Sequence, residues 1–401
     1  MTPEPWRWDA VALAQAIRAR RISSREAVSA ALARLDAVNP RVNAVVETLA
    51  DEALAQADRA DEQLAKGEIT QAQLKEIEDR EIERIIRKQE DAGLQSITDG
   101  EFRRSWWHLD FLWGLDGIEK HVMDTGIAFA TVTTRNEGLK VTGKIGFSGH
   151  PMLEHFKFVA AHTRRTPKIT IPSPSAAYGR PVPTPIDKKV YPKLDAFFED
   201  LGQAYRRAVR AFADAGCRYL QLDEVFIAML CDPKYRQSMK DRGDDPEKLG
   251  ELYGDLINTA MSDIPSDMTI TMHMCRGNYK STFMGSGGYE AVQEILFNKI
   301  KVQGFFMEYD SERAGGFEPL RMLPKDRSVV LGLVTTKTGR LENKDELKRR
   351  IEQAAKFAPL DQLCLSPQCG FASTEEGNML AEDEQWAKLR MIVDLSREVW
   401  G

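Results

Sequence analysis

From residue 136 onward the chain alternates strand-like runs with amphipathic helical stretches, and this alternation constrains the fold more than any other feature. The strand candidates are Lys140–Phe147, Lys168–Pro172, Arg218–Asp223, Met268–Cys275, Gly304–Tyr309, Ser328–Val334 and Gln362–Leu365. Helical patterns such as Leu194–Ala215 and Lys344–Lys356 lie between most of them. Strands separated by helices pair in parallel, and this many units predicts an α/β fold of the (β/α)8 TIM-barrel type rather than an open sheet. A barrel of this kind takes about 250 residues, so 401 residues hold one with an appendage. Barrels carry their active sites at the C-terminal ends of the strands.

Four metal-ligating side chains stand at such ends. His273 and Cys275 close Met268–Cys275, Glu308 closes Gly304-Phe-Phe-Met-Glu308, and Cys369 follows Leu363-Cys-Leu-Ser-Pro-Gln-Cys369. Side chains alternate faces along a strand, so the H-x-C spacing aims an imidazole and a thiolate to one side. One nitrogen, two sulfurs and a carboxylate oxygen suit tetrahedral Zn²⁺ better than magnesium or calcium. Asp223 and Glu224 end an otherwise apolar strand, where charge needs a partner or a functional reason. Asp99-Gly-Glu101 ends the strand-like Gln95–Thr98 and opens an aromatic loop carrying Trp106, Trp107 and Trp113. Such a loop suggests a lid, an aromatic wall for an apolar ligand, or a homo-oligomer contact. Arg103 and Arg104 are candidates for binding a carboxylate side-on. His150 and His155 are candidate proton donors, and Lys337 a candidate cation beside a leaving group. Cys217, Cys231 and Cys364 read as core or surface thiols.

The N-terminal part differs in kind. Residues 9 to 67 read as helical, with the capping box Ser23-Ser-Arg-Glu26 opening a helix Ala27–Val38 that Asn39-Pro40 ends. A β-like run, Val42–Thr48, precedes a helix over 50–66 that stops at Lys66-Gly67. A charged helix then spans Gln71–Ala92, with Gly93 as its stop. A net charge of −6 gives no electrostatic case for nucleic acid. No apolar run approaches the roughly 20 residues that cross a bilayer, and the N-terminus lacks an apolar signal region. Five cysteines in so long a chain suit a reducing, cytoplasmic setting rather than a disulfide framework.

The ordered motifs Asp99-Gly-Glu101, Leu220-Gln-Leu-Asp-Glu224, His273-Met-Cys275, Met307-Glu308 and Pro367-Gln-Cys-Gly370 resemble the catalytic barrel of cobalamin-independent methionine synthase, most closely its short single-barrel relatives. The resemblance covers residues 68–401 and implies a zinc barrel there. It implies that His273, Cys275, Glu308 and Cys369 hold the zinc, and that Glu101 and Asp223 act on the substrate by holding the amino group of homocysteine. Glu224 and Trp106 line the same pocket in this reading. Residues 1–67 form a helical appendage, of which 9–67 are similar to the N-terminal helices of amidase-signature enzymes, including Val42-Asn-Ala-Val-Val46. The glycine- and serine-rich nucleophile region of that family is absent.

Three departures stand beside the resemblance. The family's Gly-Ser first strand has no counterpart before Gln71, Lys337 stands near the place of a proton-donating histidine, and Lys168–Ser175 lacks the tryptophan expected beneath a folate. The implied reaction is methyl transfer from an unidentified donor to the thiol of homocysteine. The alternatives are alkyl transfer to another thiol, as in related transferases acting on epoxides with coenzyme M, and a catalytically defective fusion.

Overall fold

The structure, a computed structural model, describes residues 5–7, 13, 16–17, 21–42, 50–65 and 71–401. The chain divides into two compact units, residues 1–80 and 81–401.

In the first unit, α1 (Ser24–Val42) and α2 (Ala50–Ala65) are helices, and α3 (Gln71–Asp91) begins there and runs on into the second. The capping box forms: Glu26 N–H donates to Ser23 Oγ at 3.0 Å and Ser23 N–H to Glu26 Oε2 at 2.7 Å. Pro40 does not stop α1 where the sequence predicts, and the helix ends two residues later at Val42. Proline's fixed φ is itself helical; what its ring removes is the N–H bond to the carbonyl four residues back. Apart from Val42, the β-like run Val42–Thr48 lies outside the described residues.

The second unit is built on a parallel sheet of six strands. They are β5 (Ile169–Pro172), β6 (Tyr219–Glu224), β7 (Thr269–Met274), β8 (Gly304–Glu308), β9 (Ser328–Val334) and β10 (Leu363–Pro367), side by side in that order. A parallel pair, β1 (Ser96–Ile97) with β4 (Thr166–Pro167), continues the row, because Lys168 N–H donates to the Ile97 carbonyl at 2.8 Å. Among the described residues no strand pairs with the outer edge of β10 or of β1. Where the sequence predicts a closed eight-stranded barrel, the described residues show a parallel α/β sheet without a closing pair of strands. Of the stretches before β1, residues 50–65 and 71–91 are helical, while residues 43–49 lie outside the described residues.

A second correction concerns Lys140–Phe147. It forms part of β3 (Glu137–Gly146), which pairs with β2 (Asp116–Val122) in an antiparallel ribbon outside the parallel sheet. Its lysines alternate with buried Leu139, Val141 and Ile145. One-sided burial suits an antiparallel ribbon, whereas strands of a covered parallel sheet are apolar on the helix side throughout.

The helices that cover the sheet start where their caps dictate. Asp232, Asp245 and Asn343 each accept two backbone N–H groups at a helix start, and Pro233 and Pro246 follow the two aspartates. The long helix Leu194–Asp214 buries Phe197, Leu201, Ala204, Tyr205, Ala208 and Phe212 at helical spacing. Against these helices pack Leu220, Leu222, Ile270, Met272, Phe305 and Leu331, all fully buried. Each contributes roughly 1.5–3 kcal/mol by leaving water. The alternate residues, Tyr219, Gln221, Asp223, Thr271 and His273, face the other side of the sheet. That face carries the chemistry.

Candidate functional site

Strand register assembles the site. Asp223 on β6 is paired with His273 on β7, His273 with Phe306 on β8, and Glu308 with Gly332 on β9. Cys275 follows the end of β7, and Cys369 lies two residues beyond β10. The ligand atoms of His273, Cys275 and Cys369 lie within 4.8 Å of one another. His273 Nε2 stands 3.3 Å from Cys369 Sγ.

The turn that presents Cys369 is pinned from several sides. Gln368 N–H donates to the Val334 carbonyl at 2.8 Å, and Gln368 Oε1 accepts from Thr336 N–H at 2.7 Å and its hydroxyl at 2.8 Å. Asn278 Nδ2 donates to the Gly370 carbonyl at 3.1 Å. Gly332 lets the turn come close: a Cβ there would sit 2.8 Å from Gln368 Cα.

The three groups shift one another's protonation. A hydrogen bond from Cys369 and the nearby His273 hold the Cys275 thiol well below the usual range, against the effect of burial. The same bond to Cys275, with burial, pushes Cys369 well above it. Burial would lower His273, yet Cys275, Asp223 and Glu308 together raise it. The cluster thus brings two cysteine sulfurs and a histidine nitrogen together. Two sulfurs and a nitrogen this close form a donor set that fits zinc.

Glu308 sits beside the cluster rather than inside it. Its carboxylate is fully buried, with Oε2 accepting from Arg276 N–H at 2.7 Å and Oε1 paired with Arg313. Lys337 Nζ lies 3.6 Å from Oε1 and 3.1 Å from Asp310 Oδ2. Burial would raise Asp310, but Lys337 and Arg313 hold it below the usual carboxylate range. Lys337 and Arg313 thus share the two carboxylates of Glu308 and Asp310.

Glu101 and Asp223 form an acid pair next to the cluster. Glu101 adopts a φ of 61°, directly after Gly100 at 65°. A non-glycine residue in the left-handed region is strained and persists only where its surroundings fix it. Here Glu101 N–H donates to Asp99 Oδ1 at 2.9 Å, Thr170 Oγ1 donates to Glu101 Oε1 at 2.6 Å, and Arg104 Nη1 lies 3.0 Å from the same oxygen. Burial raises the Glu101 carboxyl, Arg104 opposes the shift, and the Asp223 charge adds to it. Burial likewise raises Asp223, with His273 and the bond from Gln221 pulling the other way.

Several residues singled out by the sequence pattern take other roles. Glu224 points to the opposite face from Asp223 and accepts from Ser173, from Ser175 Oγ at 2.6 Å and from Ile227 N–H at 2.7 Å. It is a fully buried brace, not a pocket wall. Trp106 is packed in the core, where its indole N–H donates to Glu137 Oε2 at 2.8 Å and Arg135 stacks at 4.8 Å. Burial lowers His150 and His155 to about 4, so both are neutral near pH 7 and poor proton donors there. His150 is also locked: Met152 N–H donates to its Nδ1 at 3.1 Å, and its Nε2 lies 3.2 Å from the Phe111 carbonyl. Thr170, Gln221 and Arg313 went unnoticed in the sequence. Alternation could have found Gln221, two residues before Asp223 on one strand.

The chain belongs to the cobalamin-independent synthase family, whose catalytic-domain signature matches residues 53–397. It is 50% identical over 338 residues to the protein YxjH of Bacillus subtilis (strain 168), covering 84% of this chain and 89% of that one. The crystal structure of a putative vitamin-B12 independent methionine synthase from Listeria monocytogenes superposes with a TM-score of 0.66 at 41% identity, over 86% of this chain and 93% of that one. Over 62 residues, 16% of this chain, it is 56% identical to the indoleacetamide hydrolase of Bradyrhizobium diazoefficiens, covering 12% of the hydrolase. Among the described residues no helix is long and apolar enough to cross a membrane.

Proposed function

We propose that this chain is a zinc-dependent methyltransferase that moves a methyl group to the thiol of homocysteine. The observation that carries the reading is the adjacency of two groups: the His273–Cys275–Cys369 cluster and the Glu101–Asp223 acid pair. The first suits a metal that activates a thiol, and the second suits the ammonium of an amino acid. Family membership supports methyl transfer as the reaction class.

His273, Cys275 and Cys369 would hold the zinc, with Glu308 as the fourth and weakest ligand, drawn from its pair with Arg313. When bound, zinc supplies the positive charge that keeps an acceptor thiol deprotonated at neutral pH, where a free thiol with pKa near 8.5 is mostly protonated. Glu101 and Asp223 take the acceptor's ammonium. Thr170 and Arg104 fix the rotamer of Glu101, and Gln221 that of Asp223. In the transfer, the acceptor thiol gives up its proton and its sulfur forms a bond to the methyl carbon. The donor leaves with the electron pair of the broken bond and takes up a proton.

The pairing of Lys337 with Asp310 counts against coenzyme M, because a sulfonate would have to displace that carboxylate from the lysine. The test is methylation of homocysteine and of coenzyme M by the zinc-loaded chain across a panel of methyl donors. Homocysteine methylation supports the reading. Turnover of the sulfonate thiol in preference to the amino-acid thiol overturns it.

A further inference from the structure

Beneath the acid pair runs a chain of side chains that starts at Lys168, a residue the chemistry above leaves without a role. Lys168 Nζ donates to Gln221 Oε1 at 2.8 Å, and Gln221 Nε2 donates to Asp223 Oδ1 at 2.7 Å. The register of β5 on β6 places Thr170 beside Gln221, and alternation puts Lys168, two residues earlier, on the same face. The ammonium is buried between two rings, 4.8 Å from the centroid of Tyr219 and 4.5 Å from that of Phe306.

The order of donors in this chain has one solution. A lysine ammonium has three donors and no acceptor. It therefore fixes the Gln221 carbonyl toward itself and turns the amide N–H₂ toward Asp223. Asp223 Oδ1 is thereby occupied, and among the described residues no hydrogen bond reaches Oδ2. A buried ammonium that served only to fill space would be costly, since an apolar side chain of the same length fills it without desolvating a charge.

We propose that Lys168 is a positioning residue for the acceptor site: acting through Gln221, it holds the Asp223 carboxylate with one oxygen free to receive the acceptor's ammonium. This rests on the reading of Asp223 given above. Lys168 itself touches no acceptor atom in the proposal.

The experiment is calorimetric titration of the zinc-loaded full chain with two thiols, homocysteine and 4-mercaptobutyrate, which lacks the amino group. The parent binds homocysteine the more tightly. In Lys168→Met, homocysteine binding weakens about tenfold, the loss expected for a weakened bond to a charged group, while 4-mercaptobutyrate is unchanged. Gln221→Leu gives the same pattern, and the double variant is no weaker than either single one, because the relay is already cut. Lys168→Arg, which retains a donor, keeps the selectivity and controls for loss of packing.

Equal weakening of both thiols shows a structural lysine and overturns the proposal, as does multiplicative loss in the double variant. A parent that does not prefer homocysteine overturns the reading of Asp223, and the proposal with it. A selective parent with an unaffected Lys168→Met overturns the proposal alone.

Discussion

Asp223 and His273 are register partners on adjacent parallel strands, so the acid pair and the thiol–imidazole cluster are one strand spacing apart. That spacing is about 4.8 Å. Three carbons separate the nitrogen and sulfur of homocysteine, enough for its ammonium to lie on Asp223 while its sulfur reaches the cluster.

Replacing either carboxylate should separate acceptor binding from metal binding. In Glu101→Gln and Asp223→Asn we expect homocysteine affinity to fall about 10- to 100-fold, the range for a lost charged hydrogen bond, with zinc content unchanged. Titration calorimetry and metal analysis of the same samples check both halves. Zinc loss from either variant would show that the acid pair serves the metal instead.

Glu101→Gln should also raise stability at neutral pH. Burial raises the folded carboxyl above its unfolded value, so the folded state binds the proton more tightly. Stability is then lost as pH rises through the window between the two values. The neutral glutamine avoids that loss, and its advantage vanishes below about pH 4, where both forms are uncharged. Melting temperatures of parent and variant at neutral and acid pH measure the crossover. A variant that melts lower than the parent at pH 7 contradicts it.

Protein purified without chelators should contain about one zinc per chain, as expected for a single four-ligand site. Cys275→Ser and Cys369→Ser should each lose most of it, whereas Cys364→Ser, whose exposed thiol lies outside the cluster, should retain it. A metal-free parent removes the zinc mechanism altogether.

Gly332→Ala should damage the site through the backbone. The added Cβ would lie 2.8 Å from both Gln368 Cα and the Met307 carbonyl oxygen, atoms that move only with the turn or the strand. We expect a loss of about 1–3 kcal/mol, the usual range for overpacking, together with weaker zinc retention. Denaturant titration with metal analysis checks it, and a fully stable, zinc-loaded variant would contradict it.

The parent's stability should rise across mildly alkaline pH through Lys168. Burial lowers this lysine to about 8, with the Asp223 charge opposing. Below that value both folded and unfolded states hold the proton and the cost of burying the charge is full. Between it and the ordinary value near 10.4 the unfolded chain binds a proton that the folded one has released, so stability rises with pH. The stability of Lys168→Met relative to the parent should therefore fall by up to about 3 kcal/mol from pH 8 to 10. Tyr219, raised by burial, stays neutral over that span. A flat difference excludes a depressed Lys168.

The strands of the parallel sheet were legible because each carries an apolar helix-facing row, and Ser328–Val334 matches to the residue. The His-x-Cys spacing was legible for a related reason: alternation is a local rule, and both residues close one strand. Glu224 misled because it adjoins Asp223 in sequence, while that same rule sends it to the opposite face. Glu308 shows a different limit. Its place at a strand end was readable, but its pairing with Arg313 depends on how the following turn folds back, which no periodicity encodes.

Among the described residues the site is framed by unequal means. Glu101 follows β1 and Cys369 follows β10, the two strands with no outer neighbour among the described residues. What joins their loops is a short clasp, the Trp106–Thr374 bridge, made of Trp107 N–H to the Ser373 carbonyl at 3.1 Å and Glu375 N–H to the Ser105 carbonyl at 3.0 Å. Elsewhere around the site the gap between neighbouring groups is set by a full ladder of sheet hydrogen bonds. Here it is set by two backbone hydrogen bonds, so lengthening either loop by a residue would change the reach between acid and thiolate while leaving every strand in place.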